Sequence, residues 1–182
     1  MNFKSLKVVL IVLSFCLSGQ VFAEKIPESP KQKEIRIEND LNRLFREATI
    51  TAAKKLDKTK QVEPFALVSK LDGTTGVYQA DKTEKNAKLS VIEQVSAIRN
   101  VLVGLGHSKQ INAYVQVMYA QVQQNKKNTQ GLSVELEHIE GVSLMRFVPV
   151  TELKNELGEL TGELQIELGQ ISTAKKPKVV FK

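Results

Sequence analysis

The longest regular pattern in the chain is a stripe of apolar side chains within residues 33–56. Apolar residues recur there at steps of three and four positions, the spacing that places them on one face of an α-helix. They are Ile37, Leu41, Leu44, Phe45, Ala48, Ala52 and Leu56. The positions between them are mostly polar or charged. The pattern predicts an amphipathic helix over residues 33–56 that packs on a core with one face.

A β-hairpin is predicted after this helix. Residues 65–71 and 74–80 are rich in apolar and β-branched side chains, which favour strands. The dipeptide Asp72-Gly73 between them is typical of a tight turn that joins two antiparallel strands. Residues 81–88 are polar and predict a loop.

A second helix is predicted over residues 89–105. Ser90 and Glu93 have the spacing of a capping box, and Gly104 and Gly106 provide a stop signal at the other end. Its expected buried face consists of Ile92, Val95, Ile98, Leu102 and Leu105.

The second half of the chain has the alternation of strands. Residues 111–123, 131–139 and 142–150 predict three strands, with a polar loop at residues 124–130. Leu164, Ile166 and Leu168 alternate with polar residues, which predicts a half-buried strand over residues 163–168. Residues 152–160 are compatible with a short amphipathic helix or with a loop.

The order of these elements predicts an α+β fold. Helix, hairpin, helix and then three or four strands imply an antiparallel sheet of about five to six strands packed with two main helices. We expect a single domain over residues 33–182. It would follow a signal peptide at residues 1–23 and a flexible, proline-containing leader at residues 24–32.

The hairpin around Glu140-Gly141 gives the most specific structural prediction. If these two residues form the turn, His138 pairs with Ser143 and Glu135 pairs with Arg146. One face of the hairpin then consists of Leu132, Val134, Leu136, Met145 and Phe147, with His138 at its rim. This face is expected to be core. The opposite face would present Glu135, Glu137 and Arg146 beside Leu144 and Val148.

Glu137, His138 and Arg146 are the candidate catalytic residues. Carboxylate, imidazole and guanidinium groups can together carry out general acid–base chemistry on a bound anion. Adjacent strand residues point to opposite faces, so Glu137 and His138 would share a pocket only at a bulge. The favoured interpretation is instead a salt bridge between Glu135 and Arg146, with a histidine satisfied at the edge of the core. His107 is interpreted as a residue that interacts favourably with the dipole at the end of the second helix.

The N-terminus has the pattern of a secretory signal. Lys4 and Lys7 precede an apolar run at residues 8–17, and small residues lead to a cleavage site after Ala23. The run is too short for a retained span, which needs roughly 20 apolar residues. Cys16 would leave with the signal. We therefore expect a periplasmic or secreted protein.

The composition of the mature chain, residues 24–182, excludes several chemistries. It contains no cysteine, so disulfides, thiol nucleophiles and thiolate metal sites are excluded. With two histidines and no H-E-x-x-H motif, and with no loop of clustered acids, neither zinc nor calcium is expected. No cofactor motif is present, because the glycines near residue 73 belong to the predicted hairpin and not to a phosphate-binding loop.

Charge and aromatic content argue against nucleic acid as a partner. The chain has 26 basic and 20 acidic residues, a net charge of +6, and two of its lysines lie in the signal. Tryptophan is absent and other aromatic residues are few, whereas nucleic-acid binding favours basic residues interleaved with stacking aromatics. The lysine clusters near residues 54–60 and 175–182 are interpreted as solvated surface. No second apolar run predicts a stable membrane span after cleavage.

Two short motifs resemble those of a group of small uncharacterised bacterial proteins. Residues 64–73 read P-F-A-x-V-x(3)-D-G, and residues 136–141 read L-E-H-x-x-G; Pro177 and Phe181 follow in the expected order. The resemblance spans about residues 64–181 and implies a shared fold, without an established activity. This chain differs from the group in its signal and its long N-terminal helix.

These observations predict an exported, non-enzymatic binding or interaction protein. A protein partner is expected, and an immunity-like role towards a toxin or an envelope enzyme suits a small exported domain. One alternative is a small envelope enzyme that uses Glu137, His138 and Arg146. Another is a structural envelope component that assembles into homo-oligomers through exposed sheet edges.

Overall fold

The computed structural model describes residues 27–80, 89–124 and 127–181. The predicted signal, its cleavage site and the predicted loop at residues 81–88 lie outside the described residues. The elements in chain order are α1 (Pro30–Thr59), β1 (Phe65–Lys70), β2 (Thr75–Gln79), α2 (Val91–His107), β3 (Ile111–Gln124), β4 (Lys127–His138), β5 (Ser143–Lys154), β6 (Leu160–Ile166) and β7 (Ser172–Lys175), with a 3₁₀ turn at Leu168–Gln170.

The seven strands form one antiparallel sheet, which confirms the predicted α+β class. The strand order is β2-β1-β3-β4-β5-β6, and β7 pairs with the first part of β5, opposite residues that β6 does not reach. The loop predicted at residues 124–130 is wrong, because β3 and β4 remain paired as far as Gln124 and Lys127. A helix at residues 152–160 is also wrong, since β5 continues to Lys154 and β6 begins at Leu160.

Helix α1 begins earlier than predicted, at Pro30. The Ser29 side chain accepts a hydrogen bond from the Gln32 backbone N–H, and the Gln32 side chain accepts one from the Ser29 N–H. This capping box satisfies backbone donors that the first helical turn leaves free. Proline is favourable at the first helical position because its missing N–H would have had no partner there. The leader predicted over residues 24–32 is therefore too long by its last residues.

The main core lies between α1 and one face of the sheet. All seven residues of the predicted α1 stripe are buried there, and a leucine or phenylalanine taken out of water contributes about 1.5–3 kcal/mol. The strand residues that they meet include Phe65, Leu67, Val115, Val117, Leu132, Val134, Leu136 and Val148.

Helix α2 covers part of the opposite face. Only its second half is deeply buried, where Ile98, Leu102 and Gly106 pack against β1, β3 and residues 180–181. The predicted buried face was therefore wrong at Ile92, which is 78% exposed. The capping box of Ser90 and Glu93 is present as predicted.

Candidate functional site

The β4–β5 hairpin differs in register from the prediction. Glu137 pairs with Ser143 and Glu135 pairs with Met145. The turn is longer by one residue, because the His138 N–H donates to the Val142 carbonyl at 2.8 Å and Ile139, Glu140 and Gly141 lie between. Gly141 adopts a φ of 123°, which a residue with a side chain rarely takes.

This one-residue difference exchanges the two faces of β5. Leu144, Arg146 and Val148 lie on the α1 face, and Met145 and Phe147 do not join that core. The predicted salt bridge between Glu135 and Arg146 is therefore wrong, as is the placement of Met145 and Phe147 beside Leu132, Val134 and Leu136.

The three candidate catalytic side chains do not converge. Glu137 lies on the α2 face of the sheet, among residues of β3 and the segment 177–181. His138 lies on the α1 face, with its Nε2 atom 3.6 Å from the Asp40 carboxylate. Arg146 is also on the α1 face, where its Cζ atom lies 4.6 Å from the centre of the Phe45 ring. The arrangement offers no single pocket in which the three could act on one substrate.

Glu137 holds the segment 177–181 against the sheet. Its fully buried carboxylate accepts hydrogen bonds from the backbone N–H groups of Val179, Val180 and Phe181 at 2.8, 3.0 and 2.7 Å. The Tyr114 hydroxyl lies 3.2 Å away, but it is nearer to Glu135, which receives its single proton. A buried carboxylate is costly unless its lone pairs are satisfied, and three backbone donors satisfy them here. The geometry is that of a structural anchor.

The negative charge of Glu135 is balanced by neighbouring cations. Burial raises its pKa, but hydrogen bonds from Lys176 and Tyr114 and the charge of Arg99 outweigh burial and hold the pKa below its usual range. Both cations lie 2.8 Å from the carboxylate. Burial, together with the two carboxylates, raises the pKa of Tyr114. Tyr114 therefore stays protonated and Glu135 stays ionised, as both ordinarily are.

A small cavity of about 50 Å³ adjoins Glu135 beneath α2. Arg99 and Gln116 line it, and the Nε atom of one and the Oε1 atom of the other are buried without a hydrogen-bond partner among the described residues. A cavity of this size with a donor and an acceptor suits a few ordered waters.

His138 is a buried, neutral core residue. Its Nδ1 atom accepts the Glu140 backbone N–H at 3.1 Å, and burial lowers its pKa. The Glu140 side chain pairs with Arg36 and Lys33 of α1 at 2.7 and 2.9 Å, and these hydrogen bonds lower the Glu140 pKa to about 2. The hairpin turn is thereby attached to the first turns of α1. His107 lies exposed in the last turn of α2.

A large concave surface of the described residues runs along α1 on the side of β5 and β6. It consists of three cavities of about 200, 350 and 660 Å³, and the 350 Å³ cavity shares lining residues with each of the other two. We call it the α1 groove. One wall is α1, from Glu34 to Lys60, and the other comprises Val142, residues of β5 and β6, and the 3₁₀ turn. Its residues include Asn42, Phe45, Arg46, Thr49, Ile50, Arg146, Leu153, Leu164, Leu168 and Ile171.

Arg146 occupies the middle of the α1 groove. It lines both the 200 Å³ and the 350 Å³ cavities, and its Nη2 atom donates to the Asn42 side chain at 3.2 Å. Burial lowers its pKa, although the charge of Glu38 acts in the opposite sense. Among the described residues no carboxylate forms an ion pair with it. The guanidinium is held in place by Phe45 and Asn42 and retains free N–H donors.

Sequence reasoning found Arg146 but not the groove around it. A signal was available at Ile50, which lies off the apolar stripe of α1 and is 50% exposed, and at Leu168, which is 56% exposed. An apolar residue outside a buried stripe indicates a second contact surface when the fold places another exposed apolar residue near it.

Comparison with protein-family models, with curated proteins and with solved structures finds no match for this chain. Within residues 27–80, 89–124 and 127–181, no cluster of three or more histidine, cysteine or acidic side chains could hold a metal ion. No helix of the same ranges is long and apolar enough to cross a membrane.

Proposed function

We propose that the protein is an exported, non-enzymatic binding protein and that the α1 groove receives a segment of a protein partner. The observation that carries the proposal is the groove itself, a long concave surface with exposed apolar walls. Concave, largely apolar surfaces with a few placed polar groups are the usual form of binding sites. A secreted toxin or an envelope enzyme is the class of partner that an immunity-like role implies.

The dimensions of the groove suit a peptide segment better than a small metabolite. Its α1 wall extends from Glu34 to Lys60, which corresponds to about 40 Å at a rise of about 1.5 Å per residue. An extended strand of about 12 residues spans the same distance. Ile50 and Leu168, each about half exposed, are available to contact such a segment.

The chemistry of the titratable groups supports binding rather than catalysis. The carboxylates of Glu135 and Glu137 are occupied by donors, and His138 is buried with one ring nitrogen already bonded. A general acid or base must reach a substrate proton, and these groups face protein atoms instead. These side chains therefore do not form the assembled catalytic site that the enzyme alternative requires.

Affinity capture with variants of the groove tests the proposal. The mature chain would be immobilised and exposed to envelope extract of the producing cells, in parallel with Ile50→Arg and Leu168→Arg. Ile92→Arg is the matched control, because Ile92 is the more exposed residue and lies on α2, away from the groove. We expect a captured protein that both groove variants lose and the control retains. Capture that the groove variants leave unchanged would refute the proposal.

Export is tested separately. We propose cleavage after Ala23, on the strength of the charged, apolar and small-residue segments of the N-terminus. N-terminal sequencing of the protein from the envelope or culture fluid is expected to start at Glu24. A chain recovered intact from the cytoplasm alone would contradict this.

A further inference from the structure

The chemistry of the α1 groove identifies the kind of segment it accepts. Arg146 is a charged side chain held by other residues, half buried and without a described acid in contact. A charge that is partly removed from water is stabilised by an opposite charge brought beside it. The groove leaves Arg146 open to such a charge at a point that a ligand can reach.

The geometry of Arg146 suits a carboxylate. A guanidinium has five N–H donors in a planar fork that matches the two oxygens of a carboxylate. Only its bond to Asn42 and its stacking on Phe45 are used within the described residues. Both contacts fix the orientation of the plane, so a ligand would not have to order it. Arg46 lines the same 350 Å³ cavity and adds a second positive charge.

Apolar side chains line the groove on either side of the two arginines. Ile50 and Leu168 border the charged part of the groove towards the 660 Å³ cavity, and Leu144 and Ile37 border it towards the 200 Å³ cavity. Acidic side chains line both ends of the groove, Glu34 and Glu38 in the 200 Å³ cavity and Asp57 and Glu163 in the 660 Å³ cavity, and none lines the central 350 Å³ cavity. Charge complementarity therefore favours an acid at the centre of the occupant, with apolar side chains flanking it.

We infer that the groove binds an acidic, apolar peptide segment of a partner protein, with an aspartate or glutamate of that segment on Arg146 and leucine-like side chains beside it. The inference rests on the proposed function and adds the chemical class of its ligand. We expect the bidentate, charge-assisted contact to strengthen binding about tenfold.

Selection from a random 12-residue display library on the mature chain tests the inference. We expect selected peptides to share an acid flanked by apolar residues, and to lose about tenfold in affinity in Arg146→Gln. Arg146→Lys is expected to be intermediate, since it keeps the charge without the fork. Lys54→Gln is the matched control, because it removes the same charge from an exposed position of α1 outside the groove. Replacing the peptide acid by its amide must reproduce the loss, which tests the contact without altering the protein.

The outcomes separate the inference from the proposed function. Peptides that Ile50→Arg abolishes but Arg146→Gln leaves unaffected, or that contain no acid, would overturn the inference while retaining the groove as a binding surface. Peptides insensitive to Ile50→Arg, or failure to select any, would count against both. Dimers of the mature chain that Ile50→Arg dissociates would assign the groove to a second copy, and would also overturn the inference.

Discussion

The anchor made by Glu137 gives the sharpest prediction for stability. In Glu137→Gln, the amide oxygen can keep the hydrogen bonds to Val180 and Phe181, but the amide N–H₂ then faces the Val179 N–H, which is a donor. The variant loses one charge-assisted hydrogen bond, weakens two others and leaves a donor unsatisfied. We expect the free energy of unfolding to fall by about 2–4 kcal/mol. That is a large part of the 5–15 kcal/mol typical of a domain.

Urea unfolding of residues 24–182 measures this loss, and hydrogen exchange locates it. The amides of Val179, Val180 and Phe181 are expected to lose protection first, because their acceptor is the altered group. Glu163→Gln is the control; it removes the same charge at an exposed position and should change stability by no more than about 0.5 kcal/mol. If Glu137→Gln matches this control and the three amides stay protected, the carboxylate is not the anchor and the reasoning fails.

Four further substitutions probe three other features of the fold. In α2, Gly106→Ala places a Cβ 2.7 Å from a Val180 methyl group, and this overpacking should lower the free energy of unfolding by about 1–3 kcal/mol. The Cβ of Gly104→Ala meets open space, and this variant should raise the free energy of unfolding by about 0.5–1 kcal/mol. Equal urea midpoints for the two variants would contradict the described packing of Gly106. Ser90→Ala removes the cap of α2 and should cost about 1 kcal/mol, which thermal unfolding measures against wild type. Burial lowers the His138 pKa below the usual 6.5, so its contribution is complete above that pH and is lost as the pH falls through the lowered value. Urea midpoints from about pH 8 to about pH 5 should show this decline, and His138→Gln should lack it.

Local patterns in the sequence predicted the helices and strands that are determined by residues close together in the chain. The α1 stripe is buried at every predicted position, because a 3.6-residue period leaves one face for the core. The start of α1 was missed since Pro30 was interpreted as part of a flexible leader. The capping residues Ser29 and Gln32 were present in the sequence and, with proline at the first helical position, indicate a helix start.

The site depended on features that local patterns do not fix. The register of β4 and β5 depends on the length of the loop after His138. One additional residue in that loop decides whether Arg146 faces α1 or α2. The partners of Glu137 lie on a segment without regular secondary structure, so no periodicity marks them. Ile92 was assigned to the core because α2 is amphipathic over its whole length, yet the helix contacts the sheet mainly through its second half.

The distance along the chain between Glu137 and its partners has a consequence for the order of folding. The partners follow 42 to 44 positions later, so ribosomal synthesis delivers the carboxylate well before the amides that bind it. The meander of β3, β4 and β5 can pair through short connections, while Glu137 still requires water as its partner. We therefore expect the segment 177–181 to dock last, and a rapid-mixing experiment should detect its protection as the final, separate phase of refolding.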